Sequence, residues 1–157
     1  ADDLIEEGKL DEAFAKYDEI TKLVPHLAPR VELRKFNVLM DREKYDQAYA
    51  VAEKLIAGPL KEDANTLNMI AWRIVDPEAK VAQRNVEVAL KAAELGVKLT
   101  NEKEPAVLDT LARCYWLKGD KAKAIALQTR AVELTKDNKD MQESLQQTLD
   151  EYKKDAR

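Results

Sequence analysis

The segment from Leu108 to Leu134 reads as two short helices joined by a tight turn, and no other stretch constrains the fold as much. Leu108, Leu111, Ala112 and Tyr115 recur at helical spacing, and Ala124, Ile125, Gln128, Ala131, Val132 and Thr135 do nearly the same. Between them Gly119 is suited to the left-handed backbone that ends one helix, and Asp120 to capping the next. Two helices this short cannot bury both apolar faces against each other, so neighbours of the same kind are required.

The rest of the chain supplies them. Leu4 and Ile5 read as the tail of a helix, followed by a turn at Gly8 to Asp11. Ala13, Phe14, Tyr17, Ile20 and Leu23 then keep a helical stripe up to Val24-Pro25, where proline lacks the amide a helix interior needs. Pro29 opens a helix with Val31, Leu33, Phe36, Leu39 and Met40 apolar. A polar break at Asp41-Arg42-Glu43 leads to Tyr45, Ala48, Ala52, Leu55 and Ile56, stopped by Gly58-Pro59. From Asp63 the pattern restarts with Leu67, Ile70, Ala71, Ile74 and Val75. Asp76 and Pro77 then predict the start of a long helix through Val81, Val86, Val88, Ala89, Ala92, Ala93 and Leu95 to Gly96. After the hairpin entered at Pro105, Met141, Leu145, Leu149 and Tyr152 make one narrow apolar seam on a polar helix, the pattern of an end cap.

The spacing of these units is regular. Ala13 and Ala48, each following an acidic or polar pair at a helix start, stand 35 residues apart, and Ala48 to Ala124 is 76. The second interval is two periods of about 34 residues plus about eight extra, which the Asp76 to Asn85 segment can absorb. Composition agrees with helices that have wet outer faces: 36% of residues are charged, while Gly numbers only 4 and Pro only 5. Acidic and basic residues are interspersed at a net charge of −4, so there is no basic stripe to neutralise a phosphate backbone, and nucleic-acid binding is disfavoured. No apolar run approaches the roughly 20 residues that cross a bilayer, so membrane insertion is not expected.

Helical repeats of about 34 residues are the tetratricopeptide pattern. The chain resembles that family over nearly all its length, most closely at Leu108 to Leu134, where Leu111, Ala112, Tyr115, Gly119, Ala124 and Ala131 carry the likeness. In the first unit Gly8, Ala13, Tyr17 and Pro25 match. The second keeps Tyr45 and Ala48 but places Lys35 and Phe36 where a leucine followed by a small residue is usual, and lacks the turn glycine. The third is recognisable from Leu67, Ile70 and Ala71. A narrower resemblance rests on Leu67 to Trp72, Lys91 to Leu95, Leu108 to Ala112, Gly119 with Ala124, Ile125 and Gln128, and Leu149 to Tyr152. It is similar to the tetratricopeptide tail that follows thioredoxin-like (redoxin) domains in some exported bacterial proteins.

These readings imply an all-α, right-handed α-solenoid of about four helical hairpins plus a C-terminal capping helix. Residues 1–157 form a single domain in this reading: an incomplete first repeat at 1–27, a second at 29–58, a stretched third at 63–97, a fourth at 105–136 and the cap helix at 138–155. The start partway through a helical pattern predicts a fragment of a longer chain. The expected function is a non-enzymatic scaffold module that binds a peptide or a neighbouring domain in a concave groove. The alternative is a docking or oligomerisation tail of a thioredoxin-like thiol-disulfide oxidoreductase, which would place it in the periplasm or outside the cell rather than the cytoplasm. Self-association through the truncated first repeat is a further expectation, since Leu4 and Ile5 lack a neighbour.

No catalytic set is apparent, and neither a cofactor nor a metal is expected. His26 is the single histidine and reads as a surface loop residue; Glu6, Glu7, Asp11 and Glu12 read as solvated charges near helix starts. Cys114 stands beside Arg113, which could lower a thiol pKa, but a lone cysteine is more often a small packing residue. Ser144, the only serine, is far in sequence from His26, and no glycine-rich phosphate loop exists. By resemblance, the first helix of each pair lines the groove with its non-core positions. That puts Arg34, Asn37, Asn65, Asn68, Trp72, Asp109, Arg113 and Trp116 on the binding face, with Trp72 and Trp116 open to the competing role of packing between repeats. Asparagines can hold a peptide backbone, arginine a carboxylate and tryptophan a side chain.

Overall fold

In the computed structural model, which describes residues 1–156, the chain is all-α. Its helices are α1 (Asp2–Glu6), α2 (Leu10–Leu23), α3 (Ala28–Asp41), α4 (Tyr45–Ala57), α5 (Ala64–Val75), α6 (Val86–Leu99), α7 (Pro105–Leu117), α8 (Lys121–Glu133) and α9 (Lys139–Asp155), with a 3-10 turn at Pro25–Leu27. Adjacent helices pack in pairs: α1 with α2, α3 with α4, α5 with α6, α7 with α8, and α9 against α8. The expected domain runs to Arg157, which lies outside the described residues. Two compact units divide the chain, Ala1–Pro59 and Leu60–Arg157. None of the described helices is long and apolar enough to cross a membrane.

One turn geometry recurs. Gly8, Glu43, Asn101 and Gly119 all take positive φ (78°, 56°, 51° and 85°), after α1, α3, α6 and α7. In each case the turn residue's amide and the next one reach back to two carbonyls in the last turn of the helix. Gly119 N donates to Trp116 O and Asp120 N to Tyr115 O, both at 3.0 Å, and Glu43 N and Lys44 N do the same to Met40 O and Leu39 O. The bonds satisfy carbonyls that a helix end leaves orphaned. Glycine does this without strain, whereas Glu43 does it at a cost of about 1 kcal/mol.

In the first unit α2 is fastened to α3 by charge as well as by packing. Lys35 is only 8% exposed, and its ammonium donates to Asp18 and, at 2.8 Å, to Glu32, while lying 5.8 Å from the centre of the Phe14 ring. Ala13, Tyr17 and Val38 close the core beside it, with Ile5 of α1. Burial pushes the Lys35 ammonium down, but the hydrogen bonds to Asp18 and Glu32 outweigh it and hold the group above the ordinary lysine value. A raised folded value means stability present below about pH 10.4 and lost as pH climbs through the folded value. Lys35→Ala is therefore expected to cost on the order of 1 kcal/mol at neutral pH, because Asp18 is half open to screening water. Lys35→Met, which keeps the packing, should cost less. Urea titrations of both variants from neutral to high pH check this: the electrostatic part of the loss should shrink as pH rises through the folded Lys35 value, leaving in Lys35→Ala the lost packing of the stem.

The second unit is built on close approach. Ala71, Ala89, Ala92, Ala93, Ala112, Ala124 and Ala131 are all sealed from solvent, with Leu67, Ile70, Ile74 and Leu108 filling the space between. Gly96 belongs to the same contact: a Cβ there would stand 3.1 Å from Val107 Cγ1 and 3.6 Å from the Ala64 carbonyl oxygen. The expectation that Gly96 ends its helix is corrected, since α6 runs on to Leu99. The start is corrected too. Residues 77–85 are not helical; Asp76 Oδ1 accepts from Glu78 N at 2.9 Å, and Arg84 donates to the carbonyls of Ile74 (2.6 Å) and Ala79 (2.7 Å). The helix begins instead after Asn85, whose side chain accepts from Val88 N. Asp63, Asp120 and Asn138 cap α5, α8 and α9 in the same way as Asn85.

Candidate functional site

Three of the eight residues nominated from sequence meet in the second unit. Trp72, one turn before the end of α5, and Asp109 and Arg113, one turn apart on α7, line a cavity of about 100 Å³, completed by Pro77 and by Thr148, Glu151 and Tyr152 of α9. Helix α9 is thus a wall of the site. Its apolar residues Leu145, Leu149 and Tyr152 are buried, and Thr148 and Glu151 flank them at positions that periodicity alone would give to solvent.

Each charged residue on the α7 wall is fixed by a specific partner. Arg113 Nε donates at 3.2 Å to the carbonyl oxygen of Val75, the last residue of α5. That carbonyl has no acceptor role left inside the helix, and it sits at the negative end of the helix dipole, so the guanidinium meets both needs. Asp109 Oδ1 accepts from Gln128 Nε2 at 2.8 Å. The same Nε2 also donates to Leu145 O at 3.2 Å, so one fully buried glutamine joins α7, α8 and α9. Gln128 Oε1 is buried without a hydrogen-bond partner among the described residues. Burial pushes the Asp109 carboxyl above its usual value, with the Gln128 amide and the Arg113 charge pulling it back only in part. Burial likewise raises the Tyr152 hydroxyl, and Arg113 opposes it.

The other nominated residues stand apart from this cavity. Trp116 stacks on Tyr152 with ring centres 4.2 Å apart and planes 10° from parallel, and Lys121 lies over it at 5.2 Å. It packs α7 against α9 and supports the wall rather than lining it. Asn65 is exposed on the first turn of α5; Asn68 is half-buried, with Oδ1 shut away from water and without a hydrogen-bond partner among the described residues. Arg34 and Asn37 belong to the first unit. Arg34 pairs with Asp2 at 3.1 Å and lines a separate open cavity of about 320 Å³ with Tyr17, Arg30 and Val31, while Asn37 is half-buried on α3. The hydroxyl of Tyr17 and the Arg34 guanidinium hold the Asp2 carboxyl below its ordinary value.

The candidates set aside for chemistry have equally definite places. His26 is exposed in the 3-10 turn. Cys114 is sealed in the core of α7, and burial, with the nearby Glu94 charge second, pushes its thiol up to about 12. The group is protonated at neutral pH and no nucleophile. Neutral thiol reagents are accordingly expected to label Cys114 only as fast as the second unit opens, so that labelling rates across a urea series follow the unfolded fraction; prompt labelling in buffer would contradict this placement. Among the described residues no group of His, Cys, Asp and Glu side chains is arranged to hold a metal ion.

Sequence reasoning missed Thr148, Glu151, Pro77 and Gln128 as parts of the site. The signal available for Gln128 was its place within the apolar stripe of α8, where a polar side chain needs a buried partner. Compared with protein-family models and with curated proteins, the sequence matches none.

Proposed function

We propose that this chain is a non-enzymatic interaction module of tetratricopeptide type, and that the cavity on α5, α7 and α9 receives part of an extended segment of a protein partner. The observation that carries this reading is the convergence of Trp72, Asp109 and Arg113 on one concavity. They come from two helices separated in sequence by α6, and each is only half-buried. An aromatic face, a carboxylate and a guanidinium held by fixed partners can bind without first being ordered, so little conformational entropy is lost on association. A half-buried tryptophan beside an arginine is also the composition of an interface hot spot. The right-handed solenoid and the absence of a cofactor belong to this proposal.

Selection from a random-peptide library on the intact chain tests it. Peptides enriched on the wild-type protein are expected to lose about tenfold or more in affinity for Trp72→Ala, the usual effect at a hot spot. Selected peptides that bind Trp72→Ala and Arg113→Ala as tightly as wild type would remove the site.

A further inference from the structure

Resting on that reading, we propose that the cavity takes a single basic side chain, lysine or arginine, from the partner's segment, with its charge met by Asp109 and Glu151 and its methylenes laid along Trp72. The charges decide the sign. Two carboxylates and one guanidinium line the space, and the guanidinium is already committed to the C-terminal carbonyl of α5 through Arg113 Nε. Helix ends of that polarity favour a cation, so Arg113 serves α5 and does not offset the carboxylates fully. What remains is a net negative lining.

The state of Asp109 points the same way. Its hydrogen-bond donor among the described residues is the Gln128 amide, a neutral group, and burial disfavours its charge. A carboxylate left in that condition gains from a second, cationic donor arriving with a ligand, which supplies charge-assisted hydrogen bonds where water is scarce. Size sets the rest. About 100 Å³ accommodates a side chain but not a run of backbone. The walls include aromatic and apolar surface, from Trp72, Pro77 and Tyr152, as well as the two carboxylates. A lysine or arginine has that division, an apolar stem and a charged head, and its cation gains further against an aromatic face.

Trp72 reports on the site. The chain has two tryptophans, so its indole N–H groups give two nuclear magnetic resonance signals, assigned with Trp116→Phe. The whole chain is titrated with short capped alanine peptides carrying lysine, arginine, norleucine or glutamate at the centre, and with putrescine as a free diamine. The lysine and arginine peptides are expected to shift the Trp72 signal saturably in the millimolar range, about tenfold more tightly than norleucine. Asp109→Asn, which keeps an acceptor for Gln128, and the exposed Glu151→Gln should each weaken the lysine peptide, Asp109→Asn by about tenfold. Equal binding of lysine and norleucine overturns the role of charge. Preferred binding of glutamate, lost in Arg113→Ala, overturns the basic ligand and leaves the interaction module standing. Tighter binding of putrescine than of the lysine peptide overturns a protein source for the cation. If none of the probes binds while library peptides bind through Trp72, the inference fails alone; if library peptides also ignore Trp72, the interaction reading fails with it.

Discussion

Phe36→Ala is expected to remove about 3–5 kcal/mol from the first unit, the usual cost of deleting a fully buried aromatic side chain. Phe36 has no solvent exposure, and it stands on α3 next to Lys35, the residue that ties α3 to α2. The unit comprises Ala1–Pro59, and domains of that size have a total stability of roughly 3–9 kcal/mol at ordinary values per residue. The substitution therefore consumes most of what holds α1 to α4 together. Phe36→Leu, which refills part of the volume, should cost about 1–1.5 kcal/mol. Both tryptophans lie in the second unit, so tryptophan fluorescence reports on that unit, while far-ultraviolet circular dichroism reports on the helices of both. In Phe36→Ala, helical circular dichroism is expected to fall at lower urea than in the wild type. A far-ultraviolet transition unchanged from wild type would show that Phe36 contributes no such packing.

The hairpin from Leu108 to Leu134 was legible because every feature of it is local. Gly119 takes the positive φ, Asp120 caps α8 through Lys123 N, and the apolar stripes coincide with the buried residues Leu108, Leu111, Ala112, Ala124 and Ala131. Where the determinant has no periodic signature, legibility fails. Asp76-Pro77 has the form of a helix start, and Val81, Val86 and Val88 keep the helical rhythm. Yet the backbone of 77–85 is drawn into a loop by Arg84, through its two bonds to the carbonyls of Ile74 and Ala79. Glu43 shows the converse: it makes a turn that sequence assigns to glycine, because the amide bonds to Met40 and Leu39 outweigh the strain. Trp72, Asp109 and Arg113 were readable only as positions outside the apolar stripes of α5 and α7; that Asp109 and Arg113 are tied to Gln128 and to the Val75 carbonyl was not. The α9 wall was not, because periodicity reports which face of a helix is buried and is silent on what that face meets. Trp116 could be read either way, and the stacking on Tyr152 decides it for packing.

Gln128→Glu is the second substitution with a large expected effect, and it links the core to the cavity. Gln128 is fully buried, and its Nε2 donates both to Asp109 Oδ1 and to the Leu145 carbonyl. Glutamate is nearly the same shape but replaces the donor with an oxygen, so three acceptors face one another where two bonds existed. At neutral pH a second buried negative charge then sits at hydrogen-bond distance from Asp109, and the expected loss is about 3–5 kcal/mol, that of an uncompensated buried charge. The sign of the pH dependence follows from the same repulsion. The two carboxyls bind protons more tightly in the folded variant than in the unfolded one, so the destabilisation is absent below the ordinary carboxylate value of about 4 and grows as pH rises through it. Once protonated, the introduced carboxyl also regains a donor for Asp109 or for the Leu145 carbonyl. Gln128→Met, of similar volume but without charge, should lose stability without this acid recovery. Urea midpoints followed by tryptophan fluorescence at neutral pH and near pH 4 distinguish the two; a Gln128→Glu loss equal at both would mean that shape and not the hydrogen bonds holds α7, α8 and α9 in place.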